Sequence, residues 1–215
     1  MSETPVSLRW PKGPFPEKYN FDRVLARIDG AWLTPECAGY LARCERTWSE
    51  VERGHDPWLH LFASPLDRDA LNRDALDAEY ALAQEAGVTL FRWCAPGKIR
   101  RVEPDQPALV GIVPTRDVVD ALSIVGASGP HYGIGMAAIV RFVVSLRSFA
   151  TPRILELGED RLELFLPHLE ELYAQRIAYR VFDLCLPLRE KHGNALVLAE
   201  ALMATSTLAL DWPPR

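Results

Sequence analysis

Residues 58–94 read WLHLFASPLDRDALNRDALDAEYALAQEAGVTLFRWC, and this stretch decides the fold class. Trp58 to Ala63 is a short run rich in apolar and aromatic side chains, which favours a strand. Leu66 to Ala86 then places Leu71, Leu76, Tyr80 and Leu82 among Asp and Arg at helical spacing, and Gly87 stands where a helix C-cap belongs. Val88 to Cys94 is strand-like again. Strand, helix and strand with short joints predict a parallel pair joined by a crossover, and hence a mixed α/β chain.

Toward the N-terminus, a helix is expected over Phe21 to Ile28, closed at Gly30. Thr34 before Pro35 and Glu36 marks a second helix start: the threonine satisfies an orphan N–H, and proline has none to satisfy. Its apolar positions, Tyr40, Leu41, Cys44, Trp48 and Val51, keep helical spacing until Gly54. Residues 1–18 contain Pro5, Pro11, Pro14 and Pro16; without those N–H groups neither helix nor sheet forms readily, so an extended arm is expected.

Toward the C-terminus, APGKIRRVEPDQP (95–107) reads as a loop and as the boundary between two halves. The expected organisation is an arm over 1–18, an N-terminal α/β half over 19–104 and a C-terminal α+β half over 105–215, fused around a mixed sheet. The second half opens with a strand at Leu109 to Val113. A helix capped by Thr115, the loop GASGPHYGIG (126–135) and a helix over Met136 to Phe149 follow. RILELGEDRLELFL (153–166) alternates apolar and polar residues around Gly158, Glu159 and Asp160, which marks a hairpin. Helices over Leu169 to Cys185 and Ala195 to Ala204 precede a strand over Thr207 to Trp212.

The chain has 215 residues, 48% hydrophobic and 25% charged, with 24 Lys and Arg against 29 Asp and Glu, a formal charge of -5. That composition supports a packed core and argues against disorder and against a nucleic-acid-binding face. No stretch reaches the length of a membrane span, and the N-terminus lacks a signal-peptide pattern, so a cytoplasmic protein with no membrane or nucleic-acid partner is expected. Cys37, Cys44, Cys94 and Cys185 form no C-x-x-C pair and are expected to be buried, reduced and apolar in character.

Motifs for chemistry are weak. GASGPHYGIG has glycines that would let a backbone approach phosphate, yet it follows a helical segment and lacks both G-x-G-x-x-G and G-K-[ST]. In HDPWLH, His55 and His60 are five apart with Pro57 between, which fails the helical metal-ligand spacing, so no metal and no cofactor are expected. Ser123, Ser128 and the cysteines sit in no nucleophile motif. Glu159–Asp160 and Glu170–Glu171 fall at a turn and a helix start. Lys98, Arg100 and Arg101 read as a solvated loop.

The second half also has local wording of its own. IVP (112–114) precedes a helix and a glycine loop, and a long helix leads into RILELGEDRLELFLP. FDLC (182–185), KHGN (191–194), LAEAL (198–202) and DWP (211–213) follow in that order. On these motifs residues 109–212 resemble the bacterial family catalogued as "domain of unknown function 4253". The family tends to carry tryptophans where this chain has Tyr132 and Phe142, and the resemblance implies a fold rather than an activity.

A small acidic chain with abundant aromatics and no catalytic constellation points to a non-enzymatic protein-binding module. Its sharpest form is an immunity or antitoxin-like protein that masks a basic toxin domain. The expected contact residues are His131 and Tyr132 in the glycine loop, with Trp58 and Trp212 as aromatic anchors. The alternative is a small-molecule-binding protein or enzyme with a pocket near the 126–135 loop, Asp183 and Cys185. Neither the oligomeric state nor the partner's identity follows from the residues.

Overall fold

A computed structural model of the chain describes residues 17–51, 58–67, 73–94 and 107–212. Nearly all of the expected arm, the tripeptide at His55 to Pro57 and the basic cluster at Lys98, Arg100 and Arg101 lie outside them. Among the described residues there are eight α-helices and one seven-stranded mixed sheet: α1 (Phe21–Ile28), α2 (Pro35–Thr47), β1 (Ser49–Glu50), β2 (His60–Asp67), α3 (Arg73–Glu85), β3 (Thr89–Cys94), β4 (Pro107–Val113), α4 (Val118–Val125), α5 (Met136–Leu146), β5 (Arg153–Gly158), β6 (Arg161–Phe165), α6 (Glu171–Leu184), α7 (Leu186–His192), α8 (Ala195–Thr205) and β7 (Thr207–Asp211).

The strand order is β1-β2-β4-β3-β5-β6-β7. β4 pairs antiparallel with both β2 and β3, so β2 and β3 run in the same sense but do not touch. The expected parallel pair is therefore split by a strand from the second half. The two halves share one sheet, with β3 also pairing parallel to β5.

Alternation along the central strands sends side chains to two cores. Phe91, Trp93 and Val113 face the larger one, beneath α1, α4, α5, α6 and α8, while Leu90, Val110 and Ile112 face the smaller one, beneath α2 and α3. Such two-sided burial explains why LVGIV reads as a continuous apolar run. The hairpin of β5 and β6 forms as its alternation predicts, and β7 pairs antiparallel with β6.

Several boundaries move for local reasons. α2 begins at Pro35 with the Thr34 hydroxyl accepting from the Cys37 N–H, but it stops at Thr47, because Trp48 turns extended and the next two residues pair with β2. Asp117, not Thr115, caps α4: its carboxylate accepts from the Val119 N–H at 2.7 Å. α7 falls in the gap between the two expected helices, Leu169 to Cys185 and Ala195 to Ala204, with Pro187 in its first turn. Proline in the first turn of a helix removes no helical hydrogen bond, and the element forms around it. All four cysteines are free and buried.

Candidate functional site

Trp212 follows β7, and its indole is fully buried in the larger core. Its Nε1–H donates to the Leu184 carbonyl at 3.1 Å, and its backbone N–H donates to Asp160 O at 2.9 Å. The glycine loop presses on the same indole. A Cβ on Gly129 would stand 2.6 Å from Trp212 Cγ and Cδ1, so only glycine lets the backbone come this close. One side chain thus fixes both the 126–135 loop and the C-terminal turn of α6.

The loop is closed by reciprocal hydrogen bonds between Gly129 and Ile134, at 2.7 and 3.0 Å, and anchored by the Ser128 N–H donating to Glu159 O at 2.7 Å. Within it, Pro130–Tyr132 forms a single 3-10 turn that carries His131 outward. Opposite, α6 ends at Cys185 in an extended conformation and the chain turns into α7. Between loop and corner lies a cleft of about 430 Å³, lined by His131, Tyr132 and Ile134 on one side and by Phe182, Asp183, Leu184, Leu186 and Arg189 on the other.

The walls combine apolar surface with three exposed polar side chains: an imidazole, a carboxylate and a guanidinium. Among the described residues none of the His131, Asp183 and Arg189 side chains has a hydrogen bond or ion pair. Arg189 shares this lack of a carboxylate partner with Arg46, Arg141, Arg176 and Arg180, whereas Arg27, Arg43, Arg147 and Arg153 each pair with one.

The structure brings together His131, Tyr132 and Asp183, three of the residues singled out from sequence. It separates the others. Trp212 is a core residue beneath the cleft and offers no surface to a partner. Cys185 is fully buried behind the cleft wall, its thiol donating to Asp211 O at 3.5 Å and its pKa raised by burial. Trp58 packs half-buried against the larger core and does not line the cleft. Arg189 was missed: α7 was not expected, so nothing placed residue 189 over the same corner as Asp183.

A second concavity, of about 680 Å³, runs between α6 and α8 and is lined by Leu196, Ala199 and Met203 with Glu171, Gln175 and Glu200. Leu196 is 45% exposed and Met203 42%. Its lining carries two carboxylates and no cation.

The remaining charge cluster crosses β3, β5, β6 and β7. Glu156, only 2% exposed, lies 3.2 Å from Arg92 and 3.1 Å from Arg161, and Arg161 also meets Glu163 at 3.3 Å. Burial pulls the Arg161 pKa down, but Glu156 and Glu163 outweigh it and the net shift is upward. With both guanidinium groups set between carboxylates, this is an ion-paired sheet face rather than a pair poised for proton transfer.

Among the described residues no three His, Cys, Asp or Glu side chains converge as metal ligands, and no helix is long and apolar enough to cross a membrane. Compared with known proteins, the chain matches no family model, no curated protein and no solved structure.

Proposed function

We propose that the protein is a non-enzymatic protein-binding module whose docking surface is the α6–α8 face. The observation that carries this is the chemistry of the groove: the exposed apolar side chains Leu196 and Met203 of α8, flanked by Glu171 of α6 and by Glu200, with no cation in the lining. Exposed contiguous apolar surface rimmed by polar groups is a mark of interaction sites. An acidic rim on a chain of charge -5 selects a partner whose contacting surface is basic and studded with apolar residues. A cytoplasmic immunity or antitoxin-like protein that masks a basic toxin domain fits that description. Kinship of residues 109–212 with the bacterial family they resemble is part of this proposal, and it would imply a fold and no activity of its own.

The test compares the wild-type chain with Leu196→Glu and Met203→Glu, each tagged and recovered from native cells at low and moderate salt. A stoichiometric basic companion retained by the wild type and lost by both variants supports the reading. A wild-type chain that emerges alone, or a companion that both variants retain, overturns it. The toxin-masking form further requires that the chain protect cells from that companion.

A further inference from the structure

The cleft between the glycine loop and the α6–α7 corner is separate from the α6–α8 groove, and it has features that a protein-docking surface does not need. It holds a carboxylate, Asp183, and a guanidinium, Arg189, on the same wall, six residues apart across a chain bend, and the two are not paired with each other. Opposite charges that share a concavity and leave the space between them open are complementary to a ligand that carries both signs. Phe182 and Leu186 on the corner and Ile134 on the loop add apolar patches to a lining that is otherwise mainly polar.

From this arrangement we infer a binding site for a small zwitterion with an apolar body, in chemical class a free α-amino acid. Arg189 takes the carboxylate, since a guanidinium can donate two parallel hydrogen bonds to it. Asp183 takes the ammonium. His131, on the opposite wall, adds an imidazole N–H toward the carboxylate, and the apolar side chain rests between Ile134 and Phe182. The cleft's volume of about 430 Å³ falls within the span of small-molecule sites, about 300–1,000 Å³. The buried Trp212 fixes both walls, so the site is formed before the ligand arrives, which lowers the ordering cost of binding.

The experiment titrates the full chain with L-leucine and L-phenylalanine by calorimetry and by thermal melting. Isocaproate, which lacks the amine, and isoamylamine, which lacks the carboxylate, serve as comparison probes. The amino acids are expected to bind and raise the melting temperature, and each half-ligand to bind about tenfold more weakly, as loss of one charged hydrogen-bond partner implies. Asp183→Asn should weaken leucine about tenfold and leave isocaproate unchanged; Arg189→Gln should weaken leucine and leave isoamylamine unchanged. Both side chains are exposed, so the unliganded variants should melt with the wild type. The inference is overturned if neither amino acid gives heat or a thermal shift at millimolar concentration. It is equally overturned if isocaproate binds as well as leucine, or if both variants bind leucine like the wild type. Leu196→Glu and Met203→Glu should leave these titrations unchanged, so the outcome here is independent of whether the groove docks a partner.

Discussion

Gly129 and Trp212 lie 83 positions apart in a chain of 215 and touch so closely that the glycine has no room for a Cβ. The contact joins the loop that carries His131 to the indole that holds the end of α6, and so sets the width of the cleft. Gly129→Ala should therefore cost about 1–3 kcal/mol, as overpacking does, and Trp212→Ala about 3–5 kcal/mol. Once the indole is gone the added methyl loses the three atoms it would strike first, so the double variant should be more stable than the sum of the two losses implies. Urea denaturation of the four chains measures that coupling; additive losses would show that the two residues do not act on each other.

Gly158 makes the same kind of contact with a harder neighbour. A Cβ there would run into the Cys94 carbonyl oxygen where the parallel β3–β5 pairing ends, and a backbone carbonyl held by that pairing yields less readily than a side chain. Gly158→Ala is expected to cost more than Gly129→Ala, at least about 3 kcal/mol, and to lower the melting temperature accordingly. Equal losses for the two alanines would contradict this ranking.

Cys44 is 1% exposed, and burial pushes its thiol up to about 11. The native state keeps this proton at a pH where the unfolded chain releases it. Stability is therefore full below the unfolded thiol value of about 9 and declines as pH rises from there toward 11. Tyr40 beside it, also raised by burial, adds to the decline at higher pH. Cys44→Ala should shrink the loss measured by denaturation across that interval. In the native state at about pH 8 a thiol reagent should label none of the four cysteines rapidly, and all four in urea.

Asp120 on α4 shows the opposite of ordinary carboxylate behaviour. It is 5% exposed, and burial raises its pKa despite the hydrogen-bonded ion pair with Arg27. Because the native state binds this proton more readily than the unfolded chain, the group lowers stability as pH rises from the unfolded value of about 3.9 through its raised native value, and by a constant amount above that. The stability of Asp120→Asn relative to wild type should thus climb with pH across that window and then level off. A difference that stays flat with pH would refute the assignment.

Tyr19 tethers the start of the described chain to the C-terminal end of α5 and, through it, to the start of α4. It is 2% exposed, and the Arg147 guanidinium donates to its hydroxyl at 3.0 Å while also pairing with the α4 cap, Asp117. Tyr19→Phe should cost about 1 kcal/mol by stranding that donor, and Arg147→Ala somewhat more, since the capping carboxylate loses its partner as well. Thermal melts of the two variants check the order; a larger loss for Tyr19→Phe would reverse it.

What the sequence by itself determined is what neighbouring residues settle among themselves. Thr34-Pro35 starts α2, Gly87 closes the turn after α3 with a left-handed φ of 84°, and the alternation around Gly158 to Asp160 makes the β5–β6 hairpin. In each case the decisive interaction spans a few positions, so cap chemistry and periodicity carry it. The choice of sheet partner was different. β4 enters between β2 and β3, and no local pattern in LVGIV distinguishes that place from an edge; only the burial of both its faces between two helical layers does. Tertiary packing likewise took Trp212, expected as an aromatic anchor, out of reach of any partner. It also formed α7 around a proline and set Arg189 beside Asp183 across the cleft from His131. Those relationships depend on which distant surfaces exclude water together, and that is decided only when the whole chain has closed on its core.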